Sequence, residues 1–356
     1  MSASRAGSIL VTGANGGLGS AVVKQIASSP KLSAYCGLYT VRNAANAPAL
    51  TAALQAPAAS RSHKYDILSL DLTRLQHIRQ LAEGINAGVS AGQIPPIRAL
   101  ILNAGWLDCG KQVFTEDGLD GVFAANYMGH WLLVLLLLQS MDKEAGRIIV
   151  LGSQSHDPHD PRNNSSGAFV DKQYKTVIHA DSDIEAIAKG SWSTGITPKD
   201  ASSLDAFRAG FRRYSAAKLF CIMMMHDLQR RLDQDAALMN ISVLGVDPGL
   251  MPSSFTRQAP WIISVVLFKF VYPAIGWLYP SGSVRPTSRS AADVLEAAFG
   301  SPADGKASLK GLYLNDKLPF ETSAESRDET EQRKLWAETV KLAGLKEGDT
   351  ILRDWQ

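Results

Sequence analysis

A tyrosine and a lysine stand four residues apart in the stretch Tyr214-Ser215-Ala216-Ala217-Lys218. Residues at this spacing share one face of a helix, so the phenol and the ammonium lie side by side. A phenol with the ordinary pKa of about 10 is a poor acid–base catalyst at neutral pH, and a nearby cation lowers that pKa toward the working range. Such a pair also arises by chance, so its meaning depends on the motifs around it. The pattern predicts a proton-transferring Tyr214, supported by Lys218, at the start of an apolar helix.

A glycine-rich turn, Thr12-Gly13-Ala14-Asn15-Gly16-Gly17-Leu18-Gly19, connects the first apolar run to the first helical stretch. A pyrophosphate needs a tight turn, an approach free of side chains, and helix N–H groups that face it. Glycine-rich turns also occur by chance, but the position between a strand and a helix favours dinucleotide binding. The residues predicted to contact the cofactor here are Gly13, Asn15, Gly17, Leu18 and Gly19.

The end of the second predicted strand has no carboxylate. In many dinucleotide folds an acidic residue there binds the ribose 2′-hydroxyl, whereas Arg42 is suited to a 2′-phosphate. Arg42 therefore predicts NADP(H), with an ordinary solvated arginine as the alternative. Asp71, after the third strand, is suited to accept a hydrogen bond from the adenine amino group or to cap a helix, and its neighbour Leu72 is a second predicted contact. Asn103-Ala104-Gly105 closes the fourth strand at the edge where open α/β sheets bind ligands.

Strand and helix patterns alternate through the first part of the chain. The predicted strands are 8–12, 34–41, 65–70, 97–102 and 147–151, and the predicted helices are 18–27, 73–87 and 118–139. This alternation is typical of an α/β fold with a doubly wound parallel sheet of the Rossmann type. The apolar character of the strands indicates a sheet covered on both faces.

The alternation stops after Ser153. Residues 154–210 are polar and mixed, and we predict an insertion there rather than a second domain. The fold resumes with a helix over 212–232, a strand over 241–246 and a last strand near 312–314. We therefore expect a single domain over 1–356, with a substrate lid over 250–285 and a C-terminal surface helix and tail over 326–356.

The composition is that of an ordinary globular protein, with 46% hydrophobic and 20% charged residues and a net charge of +2. Lysines and arginines are scattered, which argues against a nucleic-acid partner. The three cysteines, Cys36, Cys109 and Cys221, have no metal-ligand or CxxC spacing, so we expect no metal site and a reducing compartment such as the cytoplasm. The first seven residues contain no apolar run, and we expect no signal peptide.

One segment, 259–280, is apolar except for Lys269. Its length approaches that of a membrane span, but Lys269 and Pro273 interrupt it near the middle. We predict that it covers the substrate pocket or makes a peripheral membrane contact, with a transmembrane helix as the less favoured alternative.

Taken together, these motifs resemble the short-chain dehydrogenase/reductase family over nearly the whole chain. The glycine turn resembles its TGxxxGxG motif, residues 103–105 its NAG motif, and Tyr214 to Lys218 its YxxxK motif. Ser153, after strand 147–151, resembles the catalytic serine, and Asn126 resembles the helix asparagine of the proton relay. Asp247-Pro248-Gly249 resembles the turn that flanks the nicotinamide.

The resemblance implies a role for each residue. Tyr214 would transfer the substrate proton, and Ser153 would hydrogen-bond the substrate oxygen, with Ser155 as a weaker competitor. Lys218 would bind the nicotinamide ribose and lower the pKa of Tyr214, and Asn126 would hold a water that connects Lys218 to solvent. The resemblance also implies cofactor contacts from Tyr214, Lys218, Pro248, Gly249 and Ser253.

The second half is similar to the light-dependent protochlorophyllide reductases and to related fungal and bacterial reductases. The plant-type enzymes have a cysteine after the Pro-Gly, where this chain has Leu250. They also have a cysteine after the YxxxK lysine, at a spacing that Cys221 misses by one residue. We therefore transfer the architecture from this branch and not the substrate.

We expect NADPH-dependent reduction of a ketone on a fairly large apolar metabolite, including polycyclic ones, in a biosynthetic reaction, or the reverse alcohol oxidation. The alternatives are an NADPH-dependent C=C (enone) reductase, a non-catalytic dinucleotide-binding sensor and a redox-neutral enzyme of the same fold. The intact Ser153, Tyr214 and Lys218 argue against a sensor, which has no use for an acid. The oligomeric state is open between a monomer and a homodimer.

Overall fold

The computed structural model describes residues 7–56, 58–60, 62–108, 111–194, 204–251, 285–301 and 309–356. Several sequence predictions fall outside these ranges. They are Ser253, Cys109, the apolar segment 259–280 and all of the predicted lid except residues 250, 251 and 285.

Eight strands form one sheet in the described part of the chain. They are β1 (Ser8–Val11), β2 (Cys36–Val41), β3 (Tyr65–Ser69), β4 (Ile97–Leu102), β5 (Arg147–Leu151), β6 (Ser242–Asp247), β7 (Tyr313–Asn315) and β8 (Leu318–Pro319). Their order is β3-β2-β1-β4-β5-β6-β7-β8; β1 to β7 are parallel and β8 is antiparallel to β7. The predicted α/β fold with a doubly wound parallel sheet is confirmed.

Helices cover both faces of this sheet. They are α1 (Gly17–Ser28), α2 (Pro48–Leu54), α3 (Leu75–Ser90), α4 (Gly121–Phe123), α5 (Gly129–Leu137), α6 (Ser182–Ala188), α7 (Leu204–Gln234), α8 (Thr287–Phe299) and α9 (Glu329–Ala343). Successive side chains of a strand point to opposite faces. Accordingly, Leu10 of β1 packs in the core beneath α3, α5 and α7, whereas its neighbours Ile9 and Val11 pack beneath α1, α2 and α8.

The helix of the tyrosine and lysine begins earlier than predicted. It starts within the proposed 154–210 insertion, so Tyr214 lies in the helix interior and the prediction that this motif opens the helix was wrong. Residues 204–213, LDAFRAGFRR, bury one helical face through Ala206, Ala209 and Gly210. The three arginines of this stretch hid that amphipathic pattern, because they give the sequence a polar appearance.

The predicted helix over 118–139 is interrupted. The Asp120 side chain caps it by accepting hydrogen bonds from the Val122 and Phe123 N–H groups, so the helix starts at Gly121. A π-helical turn, Ala124–Met128, separates α4 from α5. Among the described residues, Gly121–Ser140 is the helical stretch long and apolar enough to span a membrane, and its most apolar 18-residue window is fully buried in the core.

The remaining differences concern short elements. The insertion contains 3-10 turns at Gln154–His156, Pro161–Ser166 and Lys172–Tyr174 in addition to α6. The sequence reading missed α2 and α8. The predicted C-terminal surface helix forms as α9, and its Trp336 is buried with its ring centroid 5.2 Å from that of Trp131, so the helix is packed on the core.

Candidate active site

The structure brings the four predicted catalytic residues together at the carboxyl edge of the sheet. Ser153 follows β5 and hydrogen-bonds the Tyr214 side chain on α7. The Lys218 Nζ lies 5.7 Å from the centroid of the Tyr214 ring. A Cβ placed on Gly105 would lie 2.5 Å from Asn126 Oδ1 and 4.0 Å from Lys218 Nζ, so the amide and the ammonium face the same small space.

Tyr214 is buried, and burial is the main influence on its acidity. Desolvation raises the pKa of Tyr214 above its ordinary value, and the hydrogen bond from Ser153 offsets only part of this rise. Cys221 and Asp247 raise the pKa further. The expected net lowering by Lys218 is therefore not found, because the removal of the phenol from water outweighs the neighbouring groups.

Lys218 is buried on the same helix face, one turn after Tyr214. Its Nζ donates a hydrogen bond to the Leu151 carbonyl at 2.7 Å, at the end of the strand that delivers Ser153. Burial lowers the pKa of Lys218, against the opposing influence of Cys221 and Asp247. The ammonium is thereby fixed between the strand and the helix.

Ser153 has a local structural role as well. Its side chain caps the 3-10 turn Gln154–His156 by accepting a hydrogen bond from the Ser155 N–H at 3.2 Å. The Ser155 hydroxyl donates to the same Ser153 Oγ at 3.0 Å. Of the two serines, Ser153 is therefore the one that contacts Tyr214, and Ser155 lies behind it.

Asn126 lies in the π-helical turn with its amide orientation fixed. The Nδ2 group donates to the Trp106 and Val122 carbonyls at 3.0 and 2.8 Å. The opposite atom, Oδ1, is buried and has no hydrogen-bond partner among the described residues. A π-helical turn is frequent at functional sites. Here it presents an unused acceptor to the space beside Lys218.

His130 is a buried residue that the sequence analysis missed. One ring nitrogen, Nδ1, lies 3.1 Å from the Asn126 carbonyl and the other, Nε2, lies 2.9 Å from the Thr12 hydroxyl. The first contact requires a proton on Nδ1, so Nε2 accepts from Thr12. Burial lowers the pKa of His130 to about 4, which keeps the ring neutral at physiological pH. His130 therefore links the glycine turn to the π-helical turn. The sequence signal for a structural histidine was its position within an apolar run.

The glycine turn is shaped as a dinucleotide would require. Gly13 has φ +66°, and a Cβ there would lie 2.8 Å from the Ala104 Cα. A Cβ on Gly19 would overlap the Gly13 carbonyl. Asn103 Nδ2 donates to the Thr12 carbonyl at 2.8 Å, which holds the turn against β4. Within the described chain the α1 N-terminus has no side-chain cap and no acid in its first turn, so its N–H groups suit an anion.

The other predicted cofactor contacts lie around this turn. The Asn15 Oδ1 accepts from the Ala49 and Leu50 N–H groups, so this side chain caps α2. Arg42 is exposed directly after β2, and Leu72 is buried. Asp71 does not cap α3, which begins at Leu75; its Oδ1 accepts from the Thr73 N–H and hydroxyl.

The predicted nicotinamide turn is held from two sides. Gly249 has φ +72° and donates its N–H to the Asp247 carboxylate at 2.9 Å. Arg162 of the insertion lies 3.5 Å from the same carboxylate. From α8, the Ser290 hydroxyl donates to the Pro248 carbonyl at 2.6 Å.

A buried ion network joins the insertion to α7 and was also missed. Arg213, next to Tyr214, contacts the Asp108 carboxylate at 2.5 Å and lies 3.5 Å from that of Asp120. It also donates to the Ser193 carbonyl at 2.7 Å. Buried charges need such partners. About a hundred residues of sequence separate the arginine from both acids, so local patterns carry no signal for the network.

Known proteins resemble the chain throughout its length. The short chain dehydrogenase family matches residues 8–165. A short-chain dehydrogenase, iccH, from Talaromyces variabilis is 40% identical over 98% of this chain and 99% of its own. Protochlorophyllide reductase A of Oryza sativa subsp. japonica is 27% identical over 96% of this chain and 81% of its own. The structure of NADPH-bound carbonyl reductase from chicken fatty liver superposes with a TM-score of 0.54 at 16% identity, covering 88% of this chain and 98% of that one.

Proposed function

Because the chain belongs to the short-chain dehydrogenase/reductase family, we propose that it uses NADPH to reduce a ketone on a fairly large apolar substrate. Oxidation of the corresponding alcohol is the reverse of the same reaction. The observation that carries this proposal is the contact between Ser153 and Tyr214 beside Lys218. Two hydroxyls that meet at one point are suited to bind and protonate a single oxygen atom.

Each residue has a distinct task in this reaction. Ser153 donates a hydrogen bond to the substrate carbonyl oxygen, and Tyr214 donates a proton to that oxygen as negative charge develops on it. Lys218 places a positive charge beside Tyr214, which stabilises the phenolate that remains. The unused Oδ1 of Asn126 is placed to accept a hydrogen bond from a water that returns a proton to the site.

Burial keeps Tyr214 protonated at neutral pH, which is the form that a general acid needs in carbonyl reduction. The same burial makes the phenol reluctant to release its proton, so the charge of Lys218 beside it is needed to stabilise the phenolate that forms.

The glycine turn fits a dinucleotide, since a side chain at Gly13 or Gly19 would close the space that a pyrophosphate needs. When bound, NADPH would supply a hydride; the glycine turn would hold its pyrophosphate and Arg42 its 2′-phosphate. Arg42 supports NADPH rather than NADH because it stands exposed at the end of β2, and no acidic residue occurs in the following stretch 43–55.

An apolar substrate is supported by the sequence on the substrate side of the site. Leu250, 38% exposed, follows the Pro-Gly turn directly, and the apolar stretch 259–280 comes soon after it. A leucine at position 250 cannot donate a proton, which favours the carbonyl reaction over one that needs a cysteine there. A proton donor fixed at an oxygen position is also poorly placed to protonate a carbon, as reduction of a C=C bond requires.

The test is to mix the purified protein with NADPH and a panel of polycyclic ketones and enones in the dark. Cofactor absorbance and product mass are then followed. We expect an alcohol, with a gain of two hydrogens and a new hydroxyl. Products saturated at carbon with the carbonyl intact, or activity that requires light, would refute the proposal in favour of C=C reduction.

A further inference from the structure

We propose that Ser155 is a positioning residue that directs the hydroxyl proton of Ser153 toward the reacting oxygen. This inference rests on the proposed function, because it assigns Ser155 a part in carbonyl reduction. It concerns a side chain behind the site that would not itself touch the substrate.

The argument begins with the hydrogen bonds that Ser153 Oγ accepts. The Ser155 hydroxyl donates to it at 3.0 Å and the Ser155 N–H donates to it at 3.2 Å. A serine hydroxyl has two lone pairs and one proton. Both lone pairs are therefore in use, and what Ser153 has left to offer the site is its proton.

The Ser153 side chain contacts the Tyr214 phenol as well, in a hydrogen bond that stabilises the phenolate. The three hydroxyls thus form a chain that runs from Ser155 through Ser153 to Tyr214. Hydrogen bonds in such a chain polarise one another, so the first donor strengthens the second. Ser153 has one proton, so a substrate carbonyl oxygen, which can only accept, would replace the Tyr214 oxygen as the acceptor of that proton.

The turn that carries Ser155 is held rigidly. Ser155 is 1% exposed. On one side of it, the His156 Nδ1 lies 2.7 Å from the Ser153 carbonyl, and the Ser323 N–H donates to the opposite ring nitrogen. On the other side, the Asn163 amide donates to the Gln154 carbonyl at 3.1 Å. Ser155 is therefore buried in a turn that offers it little freedom to leave Ser153.

Removal of the Ser155 hydroxyl frees one lone pair of Ser153, so the Ser153 proton is no longer confined to one direction. The groups that face Tyr214 and share in its titration are Lys218 and Cys221 on α7, Asp247 at the end of β6 and Tyr313 on β7. The change leaves all of them in place. The phenolate of Tyr214 loses part of its stabilisation from Ser153, so its pKa rises.

The experiment compares Ser155→Ala and Ser155→Thr with the wild type in ketone reduction. We expect Ser155→Ala to lower kcat by about tenfold with little change in KM, the scale of one ordinary hydrogen bond. A lower kcat at unchanged KM separates a role in the chemical step from a role in substrate binding. Ser155→Thr keeps the hydroxyl and should restore kcat.

Ser140→Ala is the matched control. Its hydroxyl is equally buried and donates to the Asn86 amide oxygen at 2.5 Å. Ser140 lies near the amino-terminal end of β4, whereas the candidate site lies at the carboxyl ends of the strands. Unchanged kcat in Ser155→Ala would refute the inference. A loss of thermal stability or NADPH affinity, with normal kcat at saturation, would refute it too, since it would indicate a merely structural serine.

A second readout separates this inference from the proposed function. NMR of protein with isotope-labelled tyrosine reports the hydrogen bonding of Tyr214, whose resonance Tyr214→Phe identifies. A wild type that reduces no carbonyl refutes the proposed function. A Tyr214 resonance that is identical in wild type and Ser155→Ala refutes the hydroxyl chain, whatever the activity.

Discussion

Tyr214 holds its proton in surroundings that oppose ionisation. Its phenol is buried, Asp247 is a neighbouring carboxylate, and the stabilising hydrogen bond from Ser153 is outweighed. The sequence singled out Tyr214 as the candidate acid, because a Tyr/Lys spacing of four residues is a local pattern. It did not predict the direction of the pKa shift, because desolvation depends on what the rest of the chain packs around the phenol.

Replacement of Tyr214 by Phe tests the acid directly. Tyr214→Phe should reduce turnover by about 10²-fold or more, the scale of lost general-acid catalysis, and leave NADPH affinity within a few-fold. Steady-state kinetics and a fluorescence titration with NADPH measure the two quantities. Tyr65→Phe, on the exposed edge strand, is the control and should behave as wild type. Near-normal turnover in Tyr214→Phe would show that another group supplies the proton.

Replacement of Arg42 by Ala tests the proposed preference for NADPH over NADH. Arg42→Ala should weaken NADPH binding by about 1.5–3 kcal/mol, the range for hydrogen bonds to charged groups, and leave NADH binding nearly unchanged. Arg353→Ala, another exposed arginine far along the chain, should affect neither cofactor. Calorimetric titration with both cofactors measures this selectivity. Equal losses for NADPH and NADH would contradict a role in 2′-phosphate recognition.

Among the elements, the predicted strands were nearly correct. Apolar strands buried on both faces form short, continuous runs that the chain displays locally, and β4 and β5 begin and end at the predicted residues. The start of α7 and the π-helical turn could not be placed in this way. Both depend on partners distant in sequence: the α7 start packs beside the insertion, and the π-helical turn packs against α7.

The glycine turn allows a prediction with an internal control. Gly13→Ala should weaken NADPH binding by at least about tenfold, because the new Cβ would lie 2.8 Å from the Ala104 Cα. Gly92 also has a positive φ, +71°, but a Cβ there would meet nothing within 4 Å. Both variants carry the same left-handed backbone cost of about 1–2 kcal/mol.

Urea unfolding and NADPH titration together separate the two effects. Gly92→Ala should lose stability and keep its affinity, whereas Gly13→Ala should lose both. Equal NADPH affinity in the two variants would mean that the close approach of Gly13 to β4 is not needed for cofactor binding.

Burial of His130 makes the stability of the whole molecule depend on pH. The pKa of His130 is lowered from 6.5 to about 4 by burial. The unfolded chain therefore takes up a proton as pH falls below 6.5, while the folded chain does not until about pH 4. His130 thus contributes stability above pH 6.5 that is lost as pH falls through this window, by about 3 kcal/mol in total.

Urea unfolding of wild type and His130→Asn between about pH 7 and pH 4.5 tests this contribution. The variant should be less stable at neutral pH, because the links to Thr12 and the Asn126 carbonyl are broken. Its stability should also fall less steeply with acid than that of the wild type. Parallel curves for the two proteins would show that His130 is not the group that titrates on unfolding.

The general plan of the molecule could be predicted from the sequence because a parallel sheet collects its loops at one edge. Strand ends far apart in the chain, at Gly13, Asn103 and Ser153, meet there by topology alone. The network of Arg213, Asp108 and Asp120 could not be predicted, since nothing in a single sequence pairs an arginine with acids so distant. The hydrogen bond from Ser155 to Ser153 could not be predicted either, because its direction depends on the geometry of the turn.

The last strand also affects how the folded protein behaves in a crowded solution. An open sheet exposes unpaired N–H and C=O groups along its outer strands, which can recruit strands of other chains and start aggregation. β8 has only two residues, and Pro319 has no N–H to donate, so this edge offers a poor template for a growing fibril. At the opposite edge of the sheet, Asp66 of β3 is exposed, as is Lys64 just before the strand, and charged side chains there discourage strand addition. Both margins of the sheet are therefore protected against self-association through strand addition.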